Sequence, residues 1–388
     1  MKRLRVGVVY GGRSSEHEVS VASAAAVFAN LDPARYVAVP IYVQRDGRWS
    51  LADRPPTVVS AGDVIEQQRA GGVERRSATR TRDVHFVTYP GDETLVTIQR
   101  EPHEPTESVR AVVGGLSVDV VFPVIHGPCG EDGTLQGLLE LANVPYVGAG
   151  VLSSAVGMDK AMAKVVFAAH DLPVVEYAVV LASEWQLGRQ AVLDELGDRF
   201  QFPVFVKPAN LGSSVGISKA GDPKALERAI DLAYRFDRKV IVELAVRAAR
   251  EIECAVLGND TPLASIPGEI VSSGEFYDYD AKYVDDGSTP VIPADLSAEA
   301  TTQIQSMAVR AFRAIDGAGM ARVDFLLDGT TENLYLNEVN TIPGFTTISM
   351  YSKMWAASGL DYPALLDRLI ELALERHTEK QQHTSSDR

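Results

Sequence analysis

The stretch MARVDFLLDGTTENLYLNEVNTIPGF, Met320 to Phe345, sets the tightest limit on the fold. Apolar and polar residues alternate through two runs around Asp328-Gly329, the pattern of a β-hairpin. Side chains two apart share a face of a strand, so Arg322 and Asp324 lie together on the first run. Glu338 and Asn340 lie together on the second, with Val323, Phe325 and Val339 on the opposite faces. Such a hairpin sets two carboxylates and an amide oxygen side by side, with an arginine next to them. Mg²⁺ takes oxygen ligands of this kind, usually one or two carboxylates completed by substrate phosphates. A hairpin with a solvated polar face shows the same alternation. The apolar neighbours and the NTIPGF turn, which would expose backbone N–H groups, argue for the metal; from these residues alone both readings stand.

The chain has 388 residues, too many for one ordinary core, so two or three domains are expected. Hydrophobic residues at 46% and charged residues at 23% fit a soluble globular protein. A formal net charge of −15 disfavours broad binding to nucleic acid or an anionic membrane. Cys129 and Cys254 stand far apart, which argues against a disulfide framework and makes the cytosol the default compartment. MKRLRVGVVYGG has a basic start without a long apolar core, and reads as a first strand rather than a signal peptide. No apolar run approaches a membrane span.

Taken in order, Leu4 to Tyr10 reads as a buried strand of a parallel sheet, followed by a glycine loop and a helix that Ser14 or Ser15 could cap. A loop between strand and helix is a ligand-binding place in open α/β sheets, and Glu16 sits in it. Glu16 also suits the positive end of a helix dipole. Tyr36 to Val43 is a second strand. The segment from Arg45 to Arg110 reads as an irregular insertion with short strands such as VHFVTY. Val118 to Ile125 is strand-like and delivers His126 at its carboxyl end, before a Gly-rich turn. Val151 to Asp171 has helical spacing and carries Lys160 and Lys164, which alone read as solvated charges. FPVFVK ends a strand on Lys207, and PANLGSSVGISKA follows with Ser213 and Ser214. Such a loop brings backbone N–H groups to phosphate oxygens, or is a plain flexible turn. Pro223 to Phe236 reads as a helix, KVIVELAV and REIECAVLGN as strands, with Glu251 and Glu253 on one face. SSGEFYDYDAKYVDDGSTP is too polar for a core strand and too aromatic for a linker, and reads as a loop that closes over a site. Ala294 to Ile315 is a helix with Ser297 as N-cap, and Tyr362 to Arg376 a final amphipathic one. The polar tail over 377–388 reads as disordered.

Several of these pieces occur in a fixed order: GGRSSEHEVS, HGPCGEDGTLQG, Lys207 with PANLGSSVGISK, VIVEL, REIECAVL, FYDYDAKY, ARVDF and LNEVNTIPGFT. The set resembles the ATP-grasp D-alanine–D-alanine ligases from about Leu4 to about Leu374, least well between Arg45 and Arg110. The resemblance implies an α/β, three-domain ATP-grasp fold with an N-terminal parallel-sheet domain: a substrate-binding domain over 1–148, a central subdomain over 149–246 and a C-terminal subdomain over 247–376. It implies ligation of two D-alanines to D-alanyl-D-alanine through an acyl phosphate, with release of ADP and phosphate, for peptidoglycan precursors in the cytoplasm.

The resemblance also implies roles. Asp324, Glu338 and Asn340 match the ligands of two Mg²⁺ ions, replaceable by Mn²⁺. Lys160, Lys207 and Ser214 match ATP-phosphate contacts, and Lys282 on the closing loop the γ-phosphate contact. Glu243 matches the acid at the adenine amino group, with Leu244, Ala245 and Val246 lining the pocket and Glu251 on the ribose. Glu16 matches the residue that binds the first D-alanine's ammonium, and His126 lies near its carboxylate. Arg322 and the Gly344 N–H match the oxyanion donors, and Ser349 the holder of the second carboxylate. Ser213 and Tyr283 match a triad with Glu16 that latches the loop. A tyrosine at 283 fits an amide-forming rather than a D-lactate enzyme. Partners are then small molecules and a second copy of the chain, without nucleic acid or membrane. LAVRAAR between Glu243 and Glu251 is one residue longer than in many relatives, which loosens the ribose assignment. Two other functions compete: a ligase with another acceptor such as D-lactate or D-serine, and a non-catalytic nucleotide-binding protein.

Overall fold

The computed structural model describes residues 2–58, 60–69, 82–88, 94–100, 111–272, 288–346 and 348–384. The first apolar run forms β1 (Leu4–Gly11), followed by α1 (His17–Asn30) and β2 (Tyr36–Val43), which lies parallel to β1. Next come β3 (Trp49–Leu51), α2 (Ala61–Arg69), β4 (Arg82–Phe86), β5 (Leu95–Arg100) and β6 (Ala111–Leu116). These strands extend the sheet antiparallel from β2. β7 (Val120–Pro123) returns parallel on the far side of β1. The sheet order is β6-β5-β4-β3-β2-β1-β7. It is therefore mixed: β1, β2 and β7 give the parallel part that was expected, and the short strands of the insertion supply an antiparallel part. The cause is local. A tight turn joins β2 to β3, with Gln44 N donating to Arg48 O at 2.8 Å, and so short a link allows only an antiparallel return.

α3 (Thr134–Leu141) packs beside α4 (Val151–Met158), which is followed by α5 (Lys160–Ala169). One helix was expected over 151–171. Asp159 interrupts it with extended backbone, and its carboxylate accepts Ala161 N at 3.1 Å and Met162 N at 3.0 Å. That capping restarts the chain as α5 and fixes the direction of the lysines on it.

A second sheet follows, built from β8 (Tyr177–Leu181), β9 (Val204–Pro208), β10 (Ser218–Ala220) and β11 (Lys239–Leu244). Its order is β10-β9-β11-β8, antiparallel throughout. α6 (Ala182–Arg199) and α7 (Pro223–Ala233) cover one face, packing Trp185, Leu196 and Ile230 on Val204, Val206 and Val242.

The third sheet holds β12 (Arg250–Gly258), β13 (Leu263–Ala264), β14 (Gly268–Ser272), β15 (Ser288–Val291), β16 (Gly319–Leu327) and β17 (Leu334–Asn340). It runs β15-β14-β12-β16-β17, with β13 beside β12. α8 (Ala298–Ala314) starts at Ser297, whose Oγ accepts Ala300 N at 3.1 Å, as expected. α5 and α8 bury Phe167, Ile304 and Phe312 against Val323, Phe325 and Val339 on one face. The other face shares a core with the first sheet: Val8 and Phe122 meet Phe345, Tyr351 and Trp355 of α9 (Met350–Ala357) and the segment before it, and Leu369 of α10 (Tyr362–Thr384). The Phe345 ring stands 5.7 Å from Phe122, 5.5 Å from Tyr351 and 6.0 Å from Tyr362. The tail expected to be disordered is helical as far as Thr384. α10 is tied to the first sheet's helices by Lys380–Glu140 and by Gln381 Nε2 donating to Asn143 Oδ1 at 2.6 Å.

Candidate active site

The hairpin expected between Met320 and Phe345 is β16–β17. Its turn is wider than a two-residue loop: the Asp328 carboxylate gathers Thr330 N at 2.8 Å and Thr331 N at 2.9 Å. Across the ladder Arg322 faces Asn340 and Asp324 faces Glu338. A bulge follows, so that Phe325 pairs with Leu336 and Asn337 is the extra residue. A bulge re-aims a side chain. Here Glu338 Oε2 lies 3.1 Å from Lys160 Nζ, while the adjacent Asn337 Oδ1 lies 3.4 Å from Lys207 Nζ. Arg322 grips Asp324 with two bonds of 2.7 Å, and Asn340 Nδ2 donates to the same carboxylate at 2.8 Å.

Glu253 shares the face of Glu251, and alternation alone assigns it no role. On β12 it is the register partner of Asp324, and its Oε2 is 3.2 Å from Arg322 Nε. Only the order of strands in the sheet brings it there.

Among the described residues no three His, Cys, Asp or Glu side chains gather to hold an ion by themselves. Asp324 and Glu338 with the Asn340 amide form the smaller oxygen set that Mg²⁺ uses when phosphates complete its shell. Arg322 and Lys160 lie on these two carboxylates, so each already faces a positive charge. The donor set fits a divalent cation.

A second wall comes from the loops of the first two sheets. Ser14 does not cap α1. Its Oγ donates to His126 O at 2.7 Å and accepts Glu16 N at 3.2 Å, stitching the two loops together. Glu16 takes the N-cap position and its side chain accepts a hydrogen bond from Ser213 Oγ. A Cβ at Gly212 would stand 2.9 Å from Glu16 Oε2, so a side chain there would make that carboxylate shift. Ser213 and Ser214 hold left-handed backbone, with φ of 50° and 58°, a conformation that clusters at ligand clamps.

His126 is buried, with Nδ1 2.9 Å from Ile342 O and Nε2 3.1 Å from Ser23 Oγ. Burial alone would lower its pKa, but the Glu131 carboxylate, 3.7 Å away, turns the shift upward. Ser23, which sequence reading passed over, also accepts Phe345 N at 3.2 Å and so ties α1 to the NTIPGF turn. On that turn a Cβ at Gly344 would come 2.9 Å from Ser349 Oγ, which itself accepts Thr346 N at 3.0 Å.

The third group is a buried chain of charges. Glu243 on β11 receives Lys207 at 2.5 Å and Lys164 at 2.8 Å. Lys164, which alone read as a solvated helix charge, has 1% of its side chain exposed. Burial would raise the Glu243 pKa, but the two lysines hold it down at about 2. Burial would lower that of Lys207, which Glu243 turns upward. The amides of Leu244 and Ala245 are taken, by Glu176 O at 3.0 Å and Pro203 O at 3.1 Å. Glu251 pairs across β12 with Leu326 of β16 and with Ile270 of β14, and its charge reaches Lys207.

One cleft brings together Glu16, His126, Lys160, Ser213, Arg322, Glu338, Asn340 and Gly344. Asp324 joins it through its bonds to Arg322 and Asn340. Lys207 and Glu243 adjoin it across the bulge. Ser349 stands behind Gly344. Lys282 and Tyr283 lie outside the described residues.

Residues 5–149 match the family model described as D-ala D-ala ligase N-terminus, and residues 166–371 match D-ala D-ala ligase C-terminus. A D-alanine–D-alanine ligase of Heliobacterium modesticaldum is 49% identical over 99% of this chain and 98% of its own. Among solved structures, the D-alanine-D-alanine ligase from Coxiella burnetii aligns at a TM-score of 0.80 and 38% identity, over 99% of this chain and 97% of that one. VanG D-Ala:D-Ser ligase from Enterococcus faecalis aligns at 0.78 and 33%, over 96% and 100%.

Proposed function

The chain belongs to the D-alanine–D-alanine ligase family, and we propose that it joins two D-alanines through an acyl phosphate in this cleft, at the expense of ATP. The product is D-alanyl-D-alanine, a peptidoglycan precursor. Relatives at 42–49% identity over almost the whole chain carry the D-alanine name, which favours D-alanine over D-serine or D-lactate as acceptor.

A carboxylate is a poor acyl donor. In the first step a carboxylate oxygen of the first D-alanine attacks the γ-phosphorus of ATP, and the bond to the β-phosphate oxygen breaks to release ADP. In the second, the amine of the other D-alanine attacks the carbonyl carbon. A tetrahedral oxyanion forms and collapses as the carbon–oxygen bond to phosphate breaks. Phosphoryl transfer of this kind asks a protein for position and charge rather than covalent help. What supports the reading is that the cleft presents both kinds of group together.

The sheets would divide the work among 1–148, 149–246 and 247–376. Glu16, steadied by Ser213, would hold the first D-alanine's ammonium. His126 would act near its carboxylate. Lys160 and Lys207 would exchange Glu338 and Glu243 for phosphate oxygens, with Ser214 beside them and Lys282 reaching the γ-phosphate. Asp324, Glu338 and Asn340 would hold two Mg²⁺ or Mn²⁺ ions, which supply charge neutralisation at the phosphates when bound. Arg322 would pass from Asp324 to the oxyanion, joined by the Gly344 N–H, where fixed donors lower a barrier most. Ser349 would receive the second carboxylate, and Tyr283 would latch the loop onto Glu16 and Ser213. Glu243 would take the adenine amino group and Glu251 the ribose. With the Leu244 and Ala245 amides engaged, Val246 is the one of the three left to offer its N–H to the base.

Among the described residues no helix is long and apolar enough to cross a membrane. We propose the cytoplasm as its compartment, because the reaction consumes ATP. A homodimer is proposed as the working form. Leu141 on α3 and Leu152 on α4, 66% and 59% exposed, offer apolar surface that a second copy would cover. The test is ADP formation by purified protein with ATP and Mg²⁺, dependent on D-alanine and repeated with D-serine or D-lactate as acceptor. D-Alanine should be the preferred acceptor at neutral pH; no ADP with D-alanine, or faster product formation with another acceptor, contradicts the reading.

A further inference from the structure

We propose that Lys164 is a positioning residue of the nucleotide site: it keeps the Glu243 carboxylate charged and aimed while Lys207 is engaged elsewhere. The inference rests on the reading above that Glu243 takes the adenine amino group and Lys207 the phosphates.

The geometry starts with α5. Lys160 and Lys164 stand one turn apart on it, on one face. Their ammoniums reach different sheets. Lys160 lies at Glu338 of β17, 3.1 Å away, and donates to Leu211 O at 2.8 Å. Lys164 lies 2.8 Å from Glu243 Oε1 on β11. The other oxygen of Glu243 holds Lys207 at 2.5 Å. One carboxylate therefore serves two ammoniums, with the Tyr177 ring 5.9 Å from the Lys164 nitrogen.

The two lysines differ in what they can do. Lys207 has a second partner in Asn337, next to Glu338, and so lies on the path between Glu243 and the metal ligands. Lys164 is walled in, with 1% of its side chain exposed against 12% for Lys207. When Lys207 turns to a phosphate, Glu243 would be left as a buried charge without a counter-ion, an arrangement that is strongly unfavourable. Lys164 prevents this from the opposite oxygen. The carboxylate stays ionised, with one lone-pair edge open to an amino group. Adenine offers a 6-amino donor there, whereas guanine offers a carbonyl oxygen that an ionised carboxylate repels. Lys164 thereby acts, through Glu243, on the choice of base.

The experiment compares full-length wild type, Lys164→Met, Glu243→Gln and the double variant. It reads kcat/KM for ATP and for GTP at saturating D-alanine and Mg²⁺, with the D-alanine KM as a check on the rest of the site. Lys164→Met should raise the ATP KM and narrow the ATP-over-GTP preference by roughly ten- to a hundredfold, the range for losing a hydrogen bond to a charged group, with the D-alanine KM unchanged. In the double variant the two effects should not add, because both act on one contact. If Lys164→Met lowers thermal stability but leaves the preference intact, the ion pair is only structural and the proposal falls. If Glu243→Gln itself leaves the preference intact, the adenine reading of Glu243 fails and takes the proposal with it. If Glu243→Gln narrows the preference and Lys164→Met does not, the proposal alone fails. Should Lys164→Met not fold, Lys164→Gln, which retains a donor without the charge, is judged by the same ratio.

Discussion

Asp324 is held by three hydrogen bonds, from Arg322 and Asn340, on a strand whose neighbours contribute Glu338 and Glu253. Glu338→Gln keeps the shape and removes half of the carboxylate pair. Turnover should fall by on the order of a hundredfold or more, as when a preorganised electrostatic contact is lost, with the fold retained. Steady-state kinetics with circular dichroism checks this, and near-normal turnover would remove Glu338 from the metal site. Glu243 has a pKa depressed from 4.5 to about 2 by Lys164 and Lys207. Its ion pairs therefore add stability above the unfolded value, and that stability is lost as pH falls toward about 2. The stability gap between wild type and Glu243→Gln should be widest near neutrality and should close between pH 4.5 and about 2, as followed by denaturant titration. The clustering of Asp324, Glu338 and Asn340 was legible in the sequence because a strand's period of two puts them on one side. Lys164, Ser23 and Glu253 were not, because each is defined by a partner far away in the chain: Glu243, Phe345 and Arg322.

Elements are where small irregularities carry the chemistry. The extra residue on β17 points Asn337 and Glu338 at two different lysines, and the break at Asp159 sets the face of α5 that carries Lys160 and Lys164. Alternation foretold the hairpin; the bulge shows in the sequence only as two successive polar residues, Asn337 and Glu338, where the alternation of β17 slips by one. It foretold helix over 151–171 but not the break, since a mid-helix aspartate reads as an ordinary surface charge. The loop after β9 shows what one glycine decides. Gly212→Ala puts a methyl 2.9 Å from Glu16 Oε2 and should push the Ser213 contact apart. The KM for the first D-alanine should rise by about tenfold, the equivalent of about 1.4 kcal/mol, while the ATP KM stays put. Equal changes in both constants would mean that the loop serves the nucleotide instead.

At the scale of the whole molecule, the first and third sheets share a core, so the β1–α1 loop with Glu16 and the β16–β17 hairpin belong to one packed unit. Phe345 sits at the centre of that core, buried among Phe122, Tyr351 and Tyr362 one residue after Gly344. Phe345→Ala should cost about 3–5 kcal/mol in denaturant unfolding, and turnover should fall further than stability alone explains because the turn loses its anchor. Three α/β units were legible from the order of motifs. The shared core was not, because an apolar helix face in sequence does not say which sheet will cover it, and the antiparallel half of the first sheet was hidden in a stretch of low apolar density. The most direct measurement follows the oxygen atoms. With D-alanine labelled by ¹⁸O in its carboxylate, ATP and Mg²⁺, an acyl phosphate requires that one carboxylate oxygen leave with the phosphate, so D-alanyl-D-alanine and ¹⁸O-labelled inorganic phosphate should appear together in the mass spectrum. Dipeptide with unlabelled phosphate, or ADP without dipeptide, would contradict it.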